Sequence, residues 1–412
     1  MPVTPQRELD DILHKLEQRA GDGPFAIAVS GGGDSMALLD MAIRLAPDRV
    51  KAVTVDHGLR AEAAGEAEAV AAFCAEHGVP HTVLHWKGAA AEGNLMEAAR
   101  HARYQLIADW AKGQGIDTVL LGHTKDDQSE TFLMQLTRGA GVDGLSAMSD
   151  AFDVGGAKFI RPLLSVTRQE LRHYLTDRNI AWADDPTNDN PKYARVRFRQ
   201  AMPTLADLGL THDALAKTVA AMQSGKDALD HYAAIEAARL VTIVDGDVVI
   251  PQHIQPAIPA DIERRIWLAI LMWIGGGTHT PRQSALDELA AAIADGRGHT
   301  VNGCQITIKY GAVRVTRELS AISGKRIAST ETWDRRWRLN GPHEAGLEIA
   351  PLGEQGLRDC PDWRETRQPR HTLIASPAVW RQERLVSAPL AGFSNDWEAQ
   401  IVTPFTVGKK VH

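Results

Sequence analysis

A chain of 412 residues is too long for one ordinary core and predicts two or three domains. Its 44% apolar and 24% charged residues suit a soluble globular protein, and no apolar run reaches the roughly 20 residues that span a bilayer. The net charge of −7 excludes a uniformly basic surface, and three scattered cysteines without a Cys-x-x-Cys pair exclude a disulfide framework or a cysteine-built metal site.

The segment Met1–Arg19 is polar and helical in pattern, with no apolar core of the kind a signal peptide needs; a cytoplasmic protein is expected. Short apolar runs at Phe25–Val29, Lys51–Asp56, Thr82–Trp86 and Thr118–Leu121 read as strands. Helical patterns at Ser35–Leu45, Glu62–His77, Asn94–Lys112 and Asp126–Thr137 alternate with them. This alternation predicts an α/β domain over residues 1–212, a doubly wound parallel sheet covered on both faces. From Thr211 to Ala294 the Ala-rich pattern is helical, and Val301–Thr316 reads as a hairpin turning at Gly311. These define a helical domain over 213–325 and a small β-rich domain over 326–412. In the last, Trp333, Trp337, Trp363 and Trp380 read as core rather than as base-stacking platforms.

The sharpest motif is Ser30-Gly31-Gly32-Gly33-Asp34-Ser35, which follows a strand and opens a helix. Such a turn gathers backbone N–H groups and a helix N-terminus around one point, and glycine lets a phosphate approach closely. It is not a Walker A loop, because no Gly-Lys-Ser/Thr follows. An acid beside a phosphate cradle suits a Mg²⁺ ligand; the plainer role for Asp34 is a helix cap. Gly122 to Thr131 (GHTKDDQSET) begins at another strand end, where Asp127 and Glu130 share one helix face. The pair suits a metal, an ammonium or proton transfer, whereas Thr124 with Asp127 equally fits a capping box. The run from Lys192 to Arg199 holds four cations and no acid, which reads first as a solvated helix face.

The glycine motif resembles the pyrophosphate loop of the ATP pyrophosphatase (PP-loop) superfamily, which implies cleavage of ATP to AMP and pyrophosphate. Further pieces narrow the resemblance. They are Val55 to Arg60 (VDHGLR), Asn94 through Arg100 to Arg103-Tyr104, Arg138-Gly139-Ala140-Gly141, Arg161-Pro162-Leu163-Leu164, and Asp185-Pro186-Thr187-Asn188 followed by Tyr193–Arg199. In this order they resemble the tRNA(Ile)-lysidine synthetase family over about residues 24–200. The family's arginine segment usually reads Tyr-x-Arg-Asn-x-Ile-Arg; here Val196 and Phe198 replace the asparagine and the isoleucine.

That resemblance implies a ligase acting on tRNA(Ile) with anticodon CAU. ATP adenylates C2 of the wobble cytidine, and free L-lysine then displaces AMP to give lysidine. It implies that Ser30, Gly31, Gly32, Gly33, Asp34 and Ser35 hold ATP, with Asp56, His57 and His123 nearby, and that Asp34 holds Mg²⁺. Asp127 and Glu130 are implied for the lysine ammonium, and Arg100 or Arg103 for the α-phosphate. Arg195, with Arg197 and Arg199, is open between the α-phosphate and the tRNA backbone, and a homodimer is left open. A glutamine-dependent synthetase would need a nucleophilic cysteine and a sulfur-transferring enzyme a Cys-x-x-Cys; a nucleotide sensor would not need Asp34, Asp127 and Glu130 together.

Overall fold

The computed structural model describes residues 21–58, 62–86, 95–183, 191–253, 258–276 and 280–408. The Asp185–Asn188 turn, Leu59, Arg60, Asn94 and the first 19 residues lie outside them. The chain divides into two compact units between Lys226 and Asp227.

In the first unit the strands β1 (Phe25–Ala28), β2 (Val50–Asp56), β3 (His81–His85) and β4 (Thr118–Leu121) alternate with α1 (Gly33–Leu45), α2 (Glu62–Glu76) and α3 (Leu95–Gly113). After α4 (Lys125–Leu136) and the short α5 (Val142–Leu145) come β5 (Ala151–Val154) and β6 (Ala157–Ile160). The six-stranded sheet runs β3-β2-β1-β4-β6-β5, parallel except for the β5 edge. Strands β1 and β4 carry fully buried Ala26, Ile27, Val119 and Leu120, which explains their unbroken apolar runs. One core layer joins Phe25 and Ile27 to Leu38, Leu39 and Val70; the other joins Ala26 and Val53 to Ile107, Phe152 and Phe159. The sheet therefore has covered faces, as the sequence predicts, with an antiparallel hairpin added at one edge.

The strand order fixes where a site can form. The chain leaves β1 for β2 on one side, and β4 takes the place on the other. A crevice opens at such a reversal, beyond the strands' carboxyl ends. The glycine loop follows β1 and the second motif follows β4, so the two face one another across it.

Helices α6 (Arg168–Asp177), α7 (Ala194–Asp207) and the start of α8 (His212–Leu240) complete this unit. Phe132 and Leu133 of α4, Met202 of α7, and Leu215 and Val219 of α8 form one small core.

The second unit begins with the rest of α8 and corrects the expectation of an uninterrupted helical stretch to Ala294. Strands β7 (Thr242–Val244) and β8 (Asp247–Pro251) form a hairpin between α8 and α9 (Ala260–Gly275). Its turn is Asp245-Gly246, both at positive φ (49° and 85°), the pair a tight hairpin favours. Unbroken β-branched runs flank it, a signal hidden by the Ala-rich helices on either side. After α10 (Gln283–Ala294), the hairpin expected at 301–316 is three strands, β9 (His299–Val301), β10 (Cys304–Lys309) and β11 (Ala312–Arg317). A second turn at Asn302-Gly303 adds the extra strand. The sheet order is β7-β8-β11-β10-β9. Beyond it, β12 (Ile327–Ala328), β14 (Leu347–Pro351), β15 (Pro377–Arg381) and β16 (Arg384–Ser387) form a four-stranded sheet, and β13 (Trp337–Asn340) pairs with β17 (Glu398–Ile401). Trp333, Trp337 and Trp380 are buried, and Trp363 packs partly buried against a core. They hold the β-rich region together rather than offering a stacking surface.

Because Leu215 and Val219 finish the α4–α7 core, truncation after Leu210 removes two buried aliphatic side chains that truncation after Lys226 retains. The shorter fragment should be less stable by about 3–6 kcal/mol. Urea denaturation of the two fragments checks this; equal midpoints would mean that α8 adds nothing to the first unit.

Candidate active site

The glycine loop lies where β1 gives way to α1, at the carboxyl end of the strand. Gly31 has φ +87°, a conformation that favours glycine, and its carbonyl accepts from Ala183 N–H at 2.9 Å. Gly32 is the N-cap of α1, so Gly33 and Asp34 carry first-turn N–H groups with no preceding turn to receive them. Ser35 Oγ accepts from Ser30 N–H at 3.2 Å and donates to Gly32 O at 2.9 Å, cross-bracing the loop. Behind it, a Cβ on Gly122 would lie 3.0 Å from Asp34 O and from Ser35 N and Cα, so β4 ends against the loop backbone with no room for a side chain.

Across the crevice, α4 begins with a complete capping box. Thr124 N–H and Oγ1 both donate to Asp127 Oδ2, at 2.8 and 3.0 Å. The capping alternative is therefore real, but it uses only one carboxylate oxygen. Oδ1 of Asp127 lies 3.4 Å from Arg168 Nη2. The same guanidinium lies 3.2 Å from Asp34 Oδ2 through Nε and 3.6 Å from Glu130 Oε1 through Nη1. Arg168 thus draws together carboxylates from both motifs. Its own backbone N–H donates to Asp126 Oδ2 at 2.9 Å. Sequence reasoning missed Arg168. The available signal was Thr167-x-x-Glu170, a second capping box, which sets Arg168 at the first position of a helix opening toward the crevice.

Glu130 is 1% exposed and is also approached by Arg199 Nε at 2.9 Å and Arg195 Nε at 3.3 Å. Its Oε2 is buried without a hydrogen bond among the described residues and faces the Arg195 guanidinium at 3.3 Å, so both oxygens are charge-paired. The cationic run Lys192–Arg199 is not simply a solvated face. Arg195 and Arg199, one turn apart on α7, turn inward to Glu130, while Arg197 lies outside and donates to Pro191 and Lys192 carbonyls. Val196 is buried and Phe198 packs on the α4–α7 core, so both departures from the usual arginine segment are core residues.

A second cluster is cationic. Arg100 and Arg103 lie over the Tyr104 ring, at 5.9 and 5.0 Å, and Arg103 Nη2 donates to Tyr104 Oη at 3.2 Å. Arg161, just past β6, is buried and stacks on Phe152 at 4.3 Å. Among the described residues no carboxylate pairs with these arginines, and the Nε atoms of Arg103 and Arg161 are buried without an acceptor. Nδ1 of His57 and of His123 are likewise buried and unpartnered. These residues follow β2 and β4, while Asp56 at the end of β2 accepts from Gly58 N–H at 2.8 Å. Four unmatched polar atoms around one crevice are the mark of a site suited to a polar ligand.

Electrostatics follow this layout. Burial raises the Asp34 carboxyl above its usual range, with Asp127 and Asp126 adding to the effect and Arg168 opposing it. Burial also pushes Asp127 upward, but Arg168, Arg195 and His123 outweigh it and hold Asp127 low and ionised. Burial carries His123 down to about 3, aided by Arg161 and Arg103, so it is neutral at physiological pH. For Tyr104 burial raises the phenol, yet Arg103, Arg100 and Arg161 win and bring it to about 8.

Asp34 has one oxygen that could meet a cation, although among the described residues no group of three or more His, Cys, Asp or Glu is placed to hold a metal ion. Its Oδ1 takes no hydrogen bond among the described residues, it stands beside an anion cradle, and neighbouring carboxylates would gain from a cation. Sequence reasoning also missed His212, whose Nδ1 lies 2.9 Å from Ser129 Oγ and which ties the start of α8 to α4.

A parallel sheet with a strand-order reversal, a glycine loop at one strand end and acids and arginines opposite define an ATP-handling protein of the PP-loop class. A model of the PP-loop domain matches residues 2–205. The tRNA(Ile)-lysidine synthase of Ruegeria pomeroyi is 44% identical over 95% of this chain and 95% of its own length. That of Brucella anthropi is 36% identical over 87% and 83%. Among solved structures, a U34-tRNA thiolase from Methanococcus maripaludis aligns with a TM-score of 0.44 at 16% identity, covering 53% of this chain and 79% of that one. The chain belongs to the tRNA(Ile)-lysidine synthase family.

The Tyr104 cluster yields a pH test. The unfolded phenol ionises near 10 and the folded one near 8. Between those values the unfolded chain holds the extra proton, so stability rises with pH through this window and the gain is absent below it. Tyr104→Phe should remove about 2 kcal/mol of that rise. Denaturant unfolding of ATP-free wild type and variant at pH 7 and pH 10 measures it; parallel behaviour would refute an ionisable Tyr104.

Proposed function

We propose that this chain forms lysidine at the wobble cytidine of tRNA(Ile) with anticodon CAU, consuming ATP and free L-lysine and releasing AMP and pyrophosphate. One observation carries the reading: the glycine loop and the Asp127–Glu130 helix face each other across the β1/β4 crevice, joined by Arg168.

The chemistry follows from what each cluster offers. Loop N–H groups, with Ser30 and Ser35, hold the leaving pyrophosphate. Arg100 and Arg103, joined by Arg161, receive the α-phosphate as the cytosine C2 oxygen attacks it and the bond to pyrophosphate breaks. His57 and His123 are neutral near pH 7 and supply hydrogen bonds rather than charge. Asp34 would hold Mg²⁺, which supplies positive charge to the phosphates when bound. The lysine ε-amine is protonated at neutral pH and must lose a proton before it attacks C2 and expels AMP. Asp127 and Glu130 are the carboxylates suited to bind that ammonium, and one of them to assist its proton loss. Arg195 organises Glu130 and is within reach of the same substrate.

The three cysteines do not favour sulfur transfer. Burial raises Cys74, Cys304 and Cys360 to about 11, 12 and 11, which keeps each a thiol. We assign the body of the tRNA to residues beyond 212. No helix among the described residues is long and apolar enough to cross a membrane, and a cytoplasmic location, where tRNA and ATP meet, belongs to the same proposal.

Incubation with ATP, Mg²⁺, lysine and CAU-anticodon tRNA should yield AMP and pyrophosphate in step with lysidine. Appearance of ADP instead would sink the reading. Asp127→Asn keeps an acceptor for the capping box but removes the charge, so the fold should hold while the lysine KM rises on the order of a hundredfold and the ATP KM stays put. Steady-state kinetics with each substrate varied separates these; an unmoved lysine KM would leave Asp127 as a cap only.

A further inference from the structure

The stripe of α4 that carries Asp127 and Glu130 continues past the site to Met134, and Arg138 follows two residues after the helix ends. It borders a groove of about 590 Å³ shared with α7. Met134, Ala194, Phe198 and Ala201 make an apolar floor, and the exposed Arg138 and Arg197 stand at its rim. No acidic residue lines it. At 1.5 Å per residue, Met134 lies about 6 Å along the helix from Glu130, and Arg138 comes just past the helix end. The groove is therefore a near neighbour of the place where the reacting base must sit.

We propose that this groove binds a nucleotide flanking the modified cytidine, its base against Phe198 and its phosphates toward Arg138 and Arg197. This rests on the tRNA-modifying function proposed above and identifies where that substrate's neighbouring residue docks. The composition is what single-stranded RNA recognition uses: an aromatic face, a small apolar floor, and guanidinium groups that pair with phosphodiesters. A base drawn out of the anticodon stack leaves its neighbours unstacked, so each needs a new surface to cover it. A second copy of the chain is a poorer occupant. Symmetric association would set two arginine-rimmed, acid-free surfaces against each other, and like charges there repel.

Phe198 and Arg138 lie outside the ATP and lysine clusters, so their variants report on RNA alone. The test uses the full chain and an anticodon stem-loop RNA with a CAU loop, measuring affinity by fluorescence anisotropy across a salt series. Phe198→Leu retains an apolar side chain for the core and should weaken RNA binding roughly tenfold, while Phe198→Tyr stays near wild type. Arg138→Ala should lower the salt slope by about one. KM values for ATP and lysine should not move in any of the three. RNA affinity of Phe198→Leu and salt slope of Arg138→Ala both equal to wild type would overturn the proposal. So would equal losses toward RNA, ATP and lysine in Phe198→Leu, which would make Phe198 a packing residue only. A change of oligomeric state in Arg138→Ala by analytical ultracentrifugation would assign the groove to self-association instead. If the wild type neither binds the stem-loop nor modifies the tRNA, the functional reading fails first; if it does both and the variants match it, only the groove assignment fails.

Discussion

Arg168 sets the geometry on which the candidate site depends. Asp34, Asp126, Asp127 and Glu130 converge from two motifs on a half-enclosed crevice, an arrangement that would drive them apart or force protons onto them. One half-buried guanidinium, planar and permanently charged, reaches three of the four and its own backbone N–H reaches the last. Burial disfavours its charge, but the surrounding acids outweigh that and hold it firmly protonated. Without it the glycine loop and the α4 N-terminus would share a sheet but not a chemical environment.

The site then divides by charge. On one side, the carboxylates are held by Arg168, Arg195 and Arg199. On the other, Arg100, Arg103 and Arg161 crowd a phenol without a carboxylate partner among the described residues. Acids suit a cationic amine, and arginines suit the phosphate that must be attacked before that amine arrives. His123 follows β4 between them and stays neutral because burial and the arginines defeat the pull of Asp127. A proton there would add to a cluster already short of anions, so neutrality is the inexpensive state.

Much of this was legible because it is local. A strand, a glycine turn and a helix are encoded within a few residues, and Ser30–Ser35 and Gly122–Thr131 each announce a strand end and a helix start together. Arg168 was not legible as a site residue, since its role arises only when the fold brings Asp34, 134 residues away, and Asp127, 41 away, to one guanidinium. Arg161 stood in one of the family motifs, but its place beside Phe152 and Tyr104 was not legible. Their immediate neighbours in sequence look like any capped helix or strand exit. The Asp245-Gly246 hairpin was legible in principle, but Ala-rich helices on both sides masked a run too short to shift the average. Val196 and Phe198 show the reverse case: they look like losses of polar contact in the sequence, and burial in the structure gives them ordinary packing reasons.

The overall charge of −7 fits an enzyme for a polyanion once its distribution is considered. A broadly basic surface would bind any nucleic acid through counterion release, with little regard to sequence. Here a few of the 45 lysines and arginines stand at or beside the site. Arg195 and Arg199 are committed to Glu130, the Tyr104 arginines lie in the crevice, and Arg138 and Arg197 stand at one groove. Long-range repulsion from the acidic remainder reduces indiscriminate binding, and only an RNA that fits these few positions regains the attraction locally, within about a Debye length. Selectivity of that kind costs affinity for every tRNA, but it is recovered only by one whose loop can open into the crevice.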